Sequence, residues 1–398
     1  MKGRNYDVCI VGGLGHVGLP FGIHLAASGK KVVLYDINLQ THKTVSEAKM
    51  PFRENGAESI LEKVLNKNLF LSTEKRTISE SRFVVVVIGT DVDDEMKHKY
   101  DLFRRFFDEI LEYIDDGQHV ILRSTVFPGT TERIRDYLKS EGKSPRITFS
   151  PERISEGRAM DELRTLPQII GAFRHSDFEE ARELFLPSTG ETIELSPKEA
   201  ELAKLFTNAW RYILFSISNQ FYQIATDSNL DFYKIYDAIT LNYPRTKYMP
   251  RAGFAAGPCL FKDTVQLSSY ANNEQFLGNA SMGVNEGLPA FIIERLKKRY
   301  PIKEKVIGIL GMTFKADSDD TRSSLAMKLR KLLMAEDIKG LLCSDVHLKG
   351  DGFVSTERLI AESDIIIIGA PHSEYADLDL KDKVVVDVWN YFKKGGLF

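Results

Sequence analysis

The chain has 398 residues, enough for two or three domains, and its 43% hydrophobic and 27% charged content is typical of a soluble globular protein. The formal charge of −3 excludes a general attraction to nucleic acid or anionic membranes. No apolar run reaches the ~18 residues of a membrane span, and the start enters a strand pattern instead of a signal sequence, which indicates a cytoplasmic protein. Three cysteines are too few for a disulfide framework and lack zinc-site spacing, so we expect no metal.

The first forty residues predict a strand–helix–strand unit. An apolar strand over Tyr6–Gly12 is followed by a glycine turn, a helix over Phe21–Ser28 and a second strand over Lys31–Asp36. Further buried-strand runs at 83–89 and 119–126, with helical spacing between them, predict a parallel sheet covered on both faces.

The turn after the first strand is rich in glycine. Such a turn is tight and lets backbone N–H groups at the helix N-terminus meet a pyrophosphate. Asp36 ends the next strand, where a carboxylate hydrogen-bonds a ribose 2′-hydroxyl and repels a 2′-phosphate, so we expect NAD over NADP. A loop that only packs the helix is the alternative. The predicted cofactor contacts in the turn are Gly13, Leu14, Gly15, His16, Val17 and Gly18.

A long helix is predicted from Pro197 to about Leu230. Ser196 and Glu199 have the spacing of a capping box, and no helix breaker follows for some thirty residues. Lys204 and Asn208 are four residues apart, which places an ammonium and an amide on the same face. Taken alone, Lys204 is more typical of a surface residue whose aliphatic stem is buried.

Two polar turns follow predicted strands, where ligands meet doubly wound sheets. They cover Ser124–Thr131 and Ser150–Gly157, and each could also be only a capped turn. A second alternating half of the chain begins near Val306. Its predicted strands cover 306–311, 340–345, 364–370 and 384–389.

Cys259 lies in a glycine-containing loop, Gly253–Pro258, and is followed closely by Lys262 and Asp263. A thiol in such a loop suits a nucleophile that approaches a bound substrate closely. A buried structural cysteine is the alternative, and it is the interpretation that we adopt for Cys9 and Cys343, which lie in apolar strand-like runs.

Taken in order, these segments resemble the UDP-glucose/GDP-mannose dehydrogenase family of nucleotide-sugar 6-dehydrogenases over nearly the whole chain. The resemblance implies an α/β fold of two Rossmann-like doubly wound domains joined by a long central helix. It implies an NAD-binding domain at 1–194, a central helical dimerisation domain at 195–300 and a UDP-sugar-binding domain at 301–398. A homodimer through the central helix is expected.

The resemblance also assigns roles to residues. Cys259 is the implied nucleophile. Lys204, Asn208 and Asp263 are implied to surround the reacting C6 oxygen. Thr125 is implied to position water with its hydroxyl, and Glu156 to assist hydrolysis with its carboxylate. Further implied cofactor contacts are Thr90, Thr125, Lys262 and Arg322. The implied substrate contacts are Glu152, Arg153, Lys204, Asn208, Arg245, Tyr248, Gly257 and Lys315. Arg245 is expected to reach the substrate of a neighbouring subunit.

Three departures from the family pattern affect the expected reaction. Asp91 stands where the family has a proline after Gly-Thr, so the loop on the nicotinamide side is expected to differ. The cysteine loop has fewer glycines and is about one residue shorter, so backbone approach to the sugar is altered. Pro151-Glu-Arg153 favours the N-acetylhexosamine branch over UDP-glucose. We therefore expect NAD-dependent four-electron oxidation of the C6 hydroxymethyl of a UDP-N-acetylhexosamine. UDP-glucose, a single-oxidation 3-hydroxyacid dehydrogenase and a catalytically silent NAD-binding regulator are the alternatives.

Overall fold

The structure of the protein, a computed structural model, describes residues 4–89, 100–186, 190–272, 274–380 and 382–394. Contacts between residues divide the chain into two units, Met1–Phe206 and Thr207–Phe398. Each unit contains a sheet flanked by helices, so the predicted α/β class is confirmed.

The first unit is built on one sheet. Its strands are β1 (Tyr6–Val11), β2 (Val32–Tyr35), β3 (Leu69–Ser72), β4 (Ser81–Val86), β5 (His119–Leu122), β6 (Arg146–Phe149), β7 (Gln168–Ala172) and β8 (Thr192–Leu195). Its helices are α1 (Gly18–Ala27), α2 (Leu39–Ser46), α3 (Ala57–Val64), α4 (Arg76–Ser79), α5 (Tyr100–Ile110), α6 (Thr130–Ser140), α7 (Ala159–Thr165) and α8 (His175–Phe185). The strand order is β3-β2-β1-β4-β5-β6-β7-β8, the Rossmann order extended at one edge. The pairing of β6 with β7 is antiparallel, which the prediction of a parallel sheet did not include.

The strands of this sheet are buried on both faces, as predicted. Along β1, Val8 and Ile10 belong to one core cluster, whereas Cys9 and Val11 belong to another. Successive side chains of a strand point to opposite faces, so each cluster lies on its own side of the sheet.

Several predicted boundaries were wrong by a few residues. Helix α1 begins at Gly18 instead of Phe21, because Pro20 falls in the first turn, where a missing N–H breaks no intrahelical bond. The strand at 119–126 ends already at Leu122. Ser124 there donates its hydroxyl to the Ile88 carbonyl at 2.6 Å and its N–H to the Val86 carbonyl at 3.3 Å.

Helix α9 (Pro197–Asp227) begins in the first unit and ends in the second. The predicted capping box is confirmed: Ser196 N–H donates to the Glu199 carboxylate at 2.8 Å, and Glu199 N–H donates to Ser196 Oγ at 3.4 Å. Of its aromatic rings, Tyr212 and Tyr222 are fully buried, whereas Trp210 and Phe221 have exposed fractions of 60% and 45% in the single chain.

The second unit contains a smaller parallel sheet. Its strands are β9 (Val306–Leu310), β10 (Gly340–Ser344), β11 (Ile365–Ile368) and β12 (Val384–Val386), in the order β10-β9-β11-β12. Its further helices are α10 (Phe232–Thr240), α11 (Leu260–Tyr270), α12 (Phe276–Arg299), α13 (Leu325–Met334) and α14 (Thr356–Glu362). The four predicted strands are present and shorter than their apolar runs. Among the described residues, none of the helices is both long and apolar enough to cross a membrane.

An ionic cluster lies where β5 and β6 begin. The Glu180 carboxylate is 3.3 Å from His119 Nδ1, 3.2 Å from Arg82 and 3.0 Å from Arg146. The hydrogen bond with His119, helped by the two arginines, lowers the pKa of Glu180 from 4.5 to about 2. A lowered folded-state pKa stabilises the fold above the ordinary pKa, and this stabilisation is lost as the pH falls toward 2.

We therefore expect the wild-type protein to lose more stability between pH 5 and pH 2 than the Glu180→Gln variant. Each pKa unit corresponds to about 1.4 kcal/mol, so the difference is on the order of 3 kcal/mol. Urea unfolding at both pH values measures it. Glu183→Gln, a more exposed partner of Arg82, is the matched control, and equal acid sensitivity of Glu180→Gln and the wild type would contradict the assignment.

Candidate active site

The glycine turn connects β1 to α1. A Cβ on Gly13 would stand 2.7 Å from the Ile10 carbonyl oxygen, and one on Gly18 would stand 2.6 Å from the Gly12 oxygen. Gly15 is exposed and has more space. In the described part of the chain, the capping residue Val17 makes no side-chain hydrogen bond to the N-terminus of α1, and the first turn contains no acidic residue. The start of α1 can therefore accept an anion.

Asp36 directly follows β2, beside this turn. Its carboxylate accepts hydrogen bonds from Leu14 N–H and Asn38 N–H, both at 3.0 Å. Two other residues of the predicted cofactor site belong to the same region. His16 stacks on Phe52 with ring centroids 4.0 Å apart, and Val17 is half-buried. Thr90 lies outside the described residues.

The two polar turns after β5 and β6 lie in the first unit. Thr125 is half-buried in the turn between β5 and α6. Gly129 and Thr131, at the end of that turn, donate to the buried carboxylate of Glu201 on α9. Lys204, one helical turn further along α9, is half-buried. Sequence reasoning missed Glu201, because its partners lie some seventy residues away in the chain.

The turn after β6 carries Glu152, Arg153 and Glu156. Glu152 is buried and forms an ion pair with the fully buried Arg123, and its second oxygen accepts the Arg153 and Ile154 N–H groups at 2.7 and 3.0 Å. Its predicted contact with substrate therefore competes with a structural role. The Arg153 guanidinium donates to the Pro167 carbonyl, and burial lowers its pKa.

Glu156 is half-buried, and its carboxylate lies 3.9 Å from His16 Nδ1. The fold thus brings this turn to the glycine turn. Glu54 fixes the end of the same turn, accepting hydrogen bonds from Gly157 N–H at 2.8 Å and Ala159 N–H at 2.7 Å. Sequence reasoning missed Glu54 as well as Arg123.

In the second unit, Cys259 is exposed at the position that caps α11. The positive end of a helix favours a thiolate. One turn into the helix, Asp263 is fully buried, and its carboxylate accepts a hydrogen bond from Asn208 Nδ2 at 2.6 Å. The Lys262 ammonium lies 3.3 Å from the other carboxylate oxygen. The structure therefore groups four of the predicted residues around the start of α11.

Two glycines hold the cysteine loop in place. Asn219 on α9 clamps the Gly253 backbone, accepting its N–H at 2.9 Å and donating to its carbonyl at 3.0 Å. Gly257 has φ of +106°, and a Cβ there would stand 2.6 Å from the Phe314 ring. A Cβ on Gly253 would stand 2.2 Å from the Trp389 ring, so contacts with distant parts of the unit exclude side chains at both positions.

The remaining predicted residues of the second unit are less closely grouped. Lys315 Nζ lies 5.7 Å from the centre of the Phe314 ring, and the Arg322 guanidinium pairs with Asp320 at 2.6 Å. Arg245 and Tyr248 are exposed, and Arg245 donates to Tyr243 Oη at 3.0 Å.

A buried polar network at the carboxyl ends of β9, β10 and β11 was not predicted. Asp345 follows β10 and accepts Met312 N–H at 2.6 Å, much as Asp36 accepts Leu14 N–H in the first unit. His372 Nε2 lies 3.0 Å from Asp345, and its Nδ1 accepts Asp317 N–H at 2.9 Å. Ligand atoms of Asp317, His347, His372 and Glu374 lie within 4.8 Å of one another. Both ring nitrogens of His372 are engaged by neighbouring groups, Nε2 by Asp345 and Nδ1 by Asp317 N–H.

Models of three domains of one family match the chain in order. The NAD binding domain of the UDP-glucose/GDP-mannose dehydrogenase family matches residues 6–189, its central domain 198–286 and its UDP binding domain 308–394. The chain belongs to the UDP-glucose/GDP-mannose dehydrogenase family. It is therefore an oxidoreductase, and its cofactor is NAD.

Relatives match over nearly their whole length. UDP-N-acetyl-D-mannosamine dehydrogenase of Methanocaldococcus jannaschii is 27% identical over 99% of this chain and 94% of the relative. The enzyme of the same name from Pyrococcus horikoshii is 28% identical, over 96% and 95%. A solved structure of UDP-D-ManNAc dehydrogenase from P. horikoshii has a TM-score of 0.86 at 27% identity, covering 94% of this chain and 91% of that one. The solved structure of a UDP-glucose dehydrogenase from Pyrobaculum islandicum is similar in fold, with a TM-score of 0.86 at 23% identity. The match covers 97% of this chain and 94% of that one.

The first unit of this family member fits NAD. The turn with Gly13 and Gly18 has no space for side chains, and the side chain of Val17, the capping residue, makes no hydrogen bond to the backbone N–H groups at the start of α1. Asp36 lies at the end of the neighbouring strand, where it can hydrogen-bond the ribose hydroxyls.

We expect Asp36→Ala to weaken NAD binding by roughly 1.5–3 kcal/mol, through loss of charge-assisted hydrogen bonds, and to relax discrimination against NADP. Steady-state kinetics with both cofactors measure the change. Asp36→Asn is the matched variant, because it keeps an acceptor for Leu14 N–H and removes the charge that repels a 2′-phosphate. An unchanged preference for NAD in both variants would show that Asp36 does not select the cofactor.

Proposed function

We propose that this protein oxidises the C6 hydroxymethyl group of a UDP-N-acetylhexosamine to a carboxylate, consuming two NAD per sugar. The exposed Cys259 thiol at the start of α11, one turn from the buried Asn208–Asp263 pair, is the observation that carries the proposal. The names of the relatives from M. jannaschii and P. horikoshii support the choice of an N-acetylhexosamine, with N-acetylmannosamine first.

The chemistry requires a base, a nucleophile and water. Bound NAD supplies the acceptor for a hydride from C6 in each of the two oxidations. In the first, a water held by Asp263 and Lys204 removes the hydroxyl proton, which leaves an aldehyde. The Cys259 thiolate then adds to the aldehyde carbon to form a thiohemiacetal, and the Lys204 ammonium stabilises the negative oxygen.

Loss of the second hydride from this carbon converts the thiohemiacetal to a thioester. Water, oriented by Thr125 and assisted by Glu156, attacks the thioester carbonyl, which releases the uronate and returns the thiol. The buried carboxylate of Asp263 orients the Asn208 amide and the Lys262 ammonium, which touch its two oxygens. Glu152, Arg153, Arg245, Tyr248, Gly257 and Lys315 bind the substrate in this proposal, and Lys262 and Arg322 contact the cofactor.

The proposal includes the division into domains at 1–194, 195–300 and 301–398, supported by the order of the three family matches. It also places the reaction in the cytoplasm, where thiols such as that of Cys259 are kept reduced.

The stoichiometry of NADH and product tests the function. Purified protein is incubated with NAD and, separately, UDP-N-acetylmannosamine, UDP-N-acetylglucosamine and UDP-glucose. Two NADH per sugar and a uronate with an N-acetyl sugar are expected. One NADH per sugar would indicate a single-oxidation dehydrogenase. No NADH would indicate a silent NAD-binding regulator. A preference for UDP-glucose would overturn the choice of substrate.

We also propose that the protein is a homodimer through α9. The support is an apolar stripe on the part of α9 in the second unit. Trp210, Ile217, Phe221 and Ile224 are 60%, 40%, 45% and 56% exposed, and their spacing of seven, four and three residues places them on one face. A second copy of the chain covers this face, and Arg245 then reaches the partner's substrate.

We expect light scattering to give twice the 45.1 kDa mass of the chain. Because glutamates at both positions introduce charge into the covered face, Phe221→Glu with Ile224→Glu shifts the mass toward that of the monomer. Gln220→Glu, an exposed neighbour, leaves it unchanged. A fully active wild-type monomer would contradict both the dimer and the role of Arg245 across it.

A further inference from the structure

Glu201 is a buried acidic residue that the mechanism above does not use. It lies near the start of α9 and is 1% exposed. Its carboxylate accepts three hydrogen bonds: from Gly129 N–H at 2.5 Å, from Thr131 N–H at 2.8 Å and from the Thr131 hydroxyl at 2.6 Å. All of these residues belong to the first unit.

These contacts cap α6 from another helix. Gly129 occupies the N-cap position of α6 with φ of +92°, and it has no side-chain oxygen to satisfy the first N–H groups of the helix. Glu201 supplies that oxygen and places its charge at the positive end of α6. Burial raises the pKa of Glu201, and the hydrogen bonds from Thr131 and Gly129 oppose this rise. An ionised carboxylate at this buried position therefore carries a desolvation penalty, which the hydrogen bonds partly offset.

The cap joins two segments of the proposed active site. The turn that carries Thr125 is held at the strand end by the bond from Ser124 Oγ to the Ile88 carbonyl, and at the helix end by Glu201. Lys204 lies three residues after Glu201 on α9, so both residues belong to one turn of that helix. Glu201 thus fixes the Thr125 turn to the part of α9 that presents Lys204.

We propose that Glu201 is a positioning residue, which holds the Thr125 hydroxyl and the Lys204 ammonium in register for catalysis. This inference rests on the proposed function, because Thr125 and Lys204 have their roles only in that reaction. The buried Glu201 carboxylate is engaged by Gly129 and Thr131, so we assign it no direct contact with substrate or cofactor. Its effect passes through the turn, and a misplacement of about 1 Å can lower a catalytic rate by about 10²-fold.

The test compares Glu201→Gln with a matched control. The glutamine amide places an NH₂ group against N–H donors, so the cap loses at least one bond. Gln118→Met removes a similar set of buried bonds, to Ile78, Ser81 and Asp115, immediately before β5 begins. That site lies at the end of β5 opposite to the Thr125 turn. Urea unfolding verifies that the two variants lose similar stability.

In the wild-type background, Glu201→Gln is expected to lower kcat by roughly tenfold or more, with the KM for NAD and for sugar changed by less than about twofold. Gln118→Met keeps kcat within about twofold of the wild type. Thr125→Ala with Glu201→Gln is expected to be barely slower than Thr125→Ala alone, because both changes act through one turn. In the protein without ligands, amide hydrogen exchange over 124–131 accelerates in Glu201→Gln and stays unchanged in Gln118→Met.

Two results would overturn the inference in an active wild type. One is a kcat of Glu201→Gln equal to that of Gln118→Met. The other is a double variant in which Glu201→Gln and Thr125→Ala each lower kcat by the same factor as they do alone. A wild type that produces no NADH from any of the sugars would instead overturn the proposed function, and the inference with it.

Discussion

The Cys259→Ser variant is expected to bind the nucleotide sugar as tightly as the wild type and to release no measurable uronate. A serine hydroxyl at this position is a far poorer nucleophile than a thiolate, and the ester that would follow hydrolyses slowly. Loss of a nucleophile from a set of cooperating groups lowers kcat by roughly 10³-fold or more.

Uronate is measured by chromatography and sugar binding by thermal shift. Burial raises the pKa of Cys9 to about 12 and that of Cys343 to about 11, so both remain protonated at neutral pH. Iodoacetamide should therefore label Cys259 preferentially, and Cys343→Ala, the matched control, should retain turnover. Uronate formation by Cys259→Ser at the wild-type rate would remove Cys259 from the mechanism.

The Asp263→Asn variant is expected to fold normally and to lose roughly 10²–10⁴-fold in kcat, the contribution of a positioned acid–base group. Asparagine keeps the shape of the buried side chain but removes the charge that faces the Lys262 ammonium at 3.3 Å. It also replaces one carboxylate oxygen of residue 263, an acceptor in the pair with Asn208, by an NH₂ group, which is a donor.

Stopped-flow detection of NADH in the first turnover isolates the step that needs the base. Thr264→Val is the matched control, because Thr264 is the next residue of α11, is equally buried and bonds only the Leu260 carbonyl in the described contacts. If Asp263→Asn and Thr264→Val reduce the first turnover equally, Asp263 has only a structural role.

Much of the fold is local in origin and could be predicted. The strand–glycine–helix start, the carboxylate at Asp36 and the capping box at Ser196 and Glu199 each depend on residues within one or two turns of chain. Periodicity also indicated strands buried on both faces, because continuous apolar runs such as Val84–Val86 leave no polar face. The ends of helices and strands were less predictable, because they depend on single side chains. Pro20 is tolerated in the first turn of α1, and the Ser124 hydroxyl bonds the Ile88 carbonyl just after β5.

The sequence by itself determined the α/β class, the glycine turn with Asp36 and the presence of a thiol beside Lys262 and Asp263, because periodicity and short spacings carry these features. Only the tertiary structure decided what holds them. Glu201 meets Gly129 and Thr131, Arg123 meets Glu152, and Phe314 fills the space beside Gly257. Each of these pairs joins chain segments 29 to 72 residues apart. Long-range pairs of this kind leave no periodic pattern, because closing the chain between them depends on the packing of the whole unit.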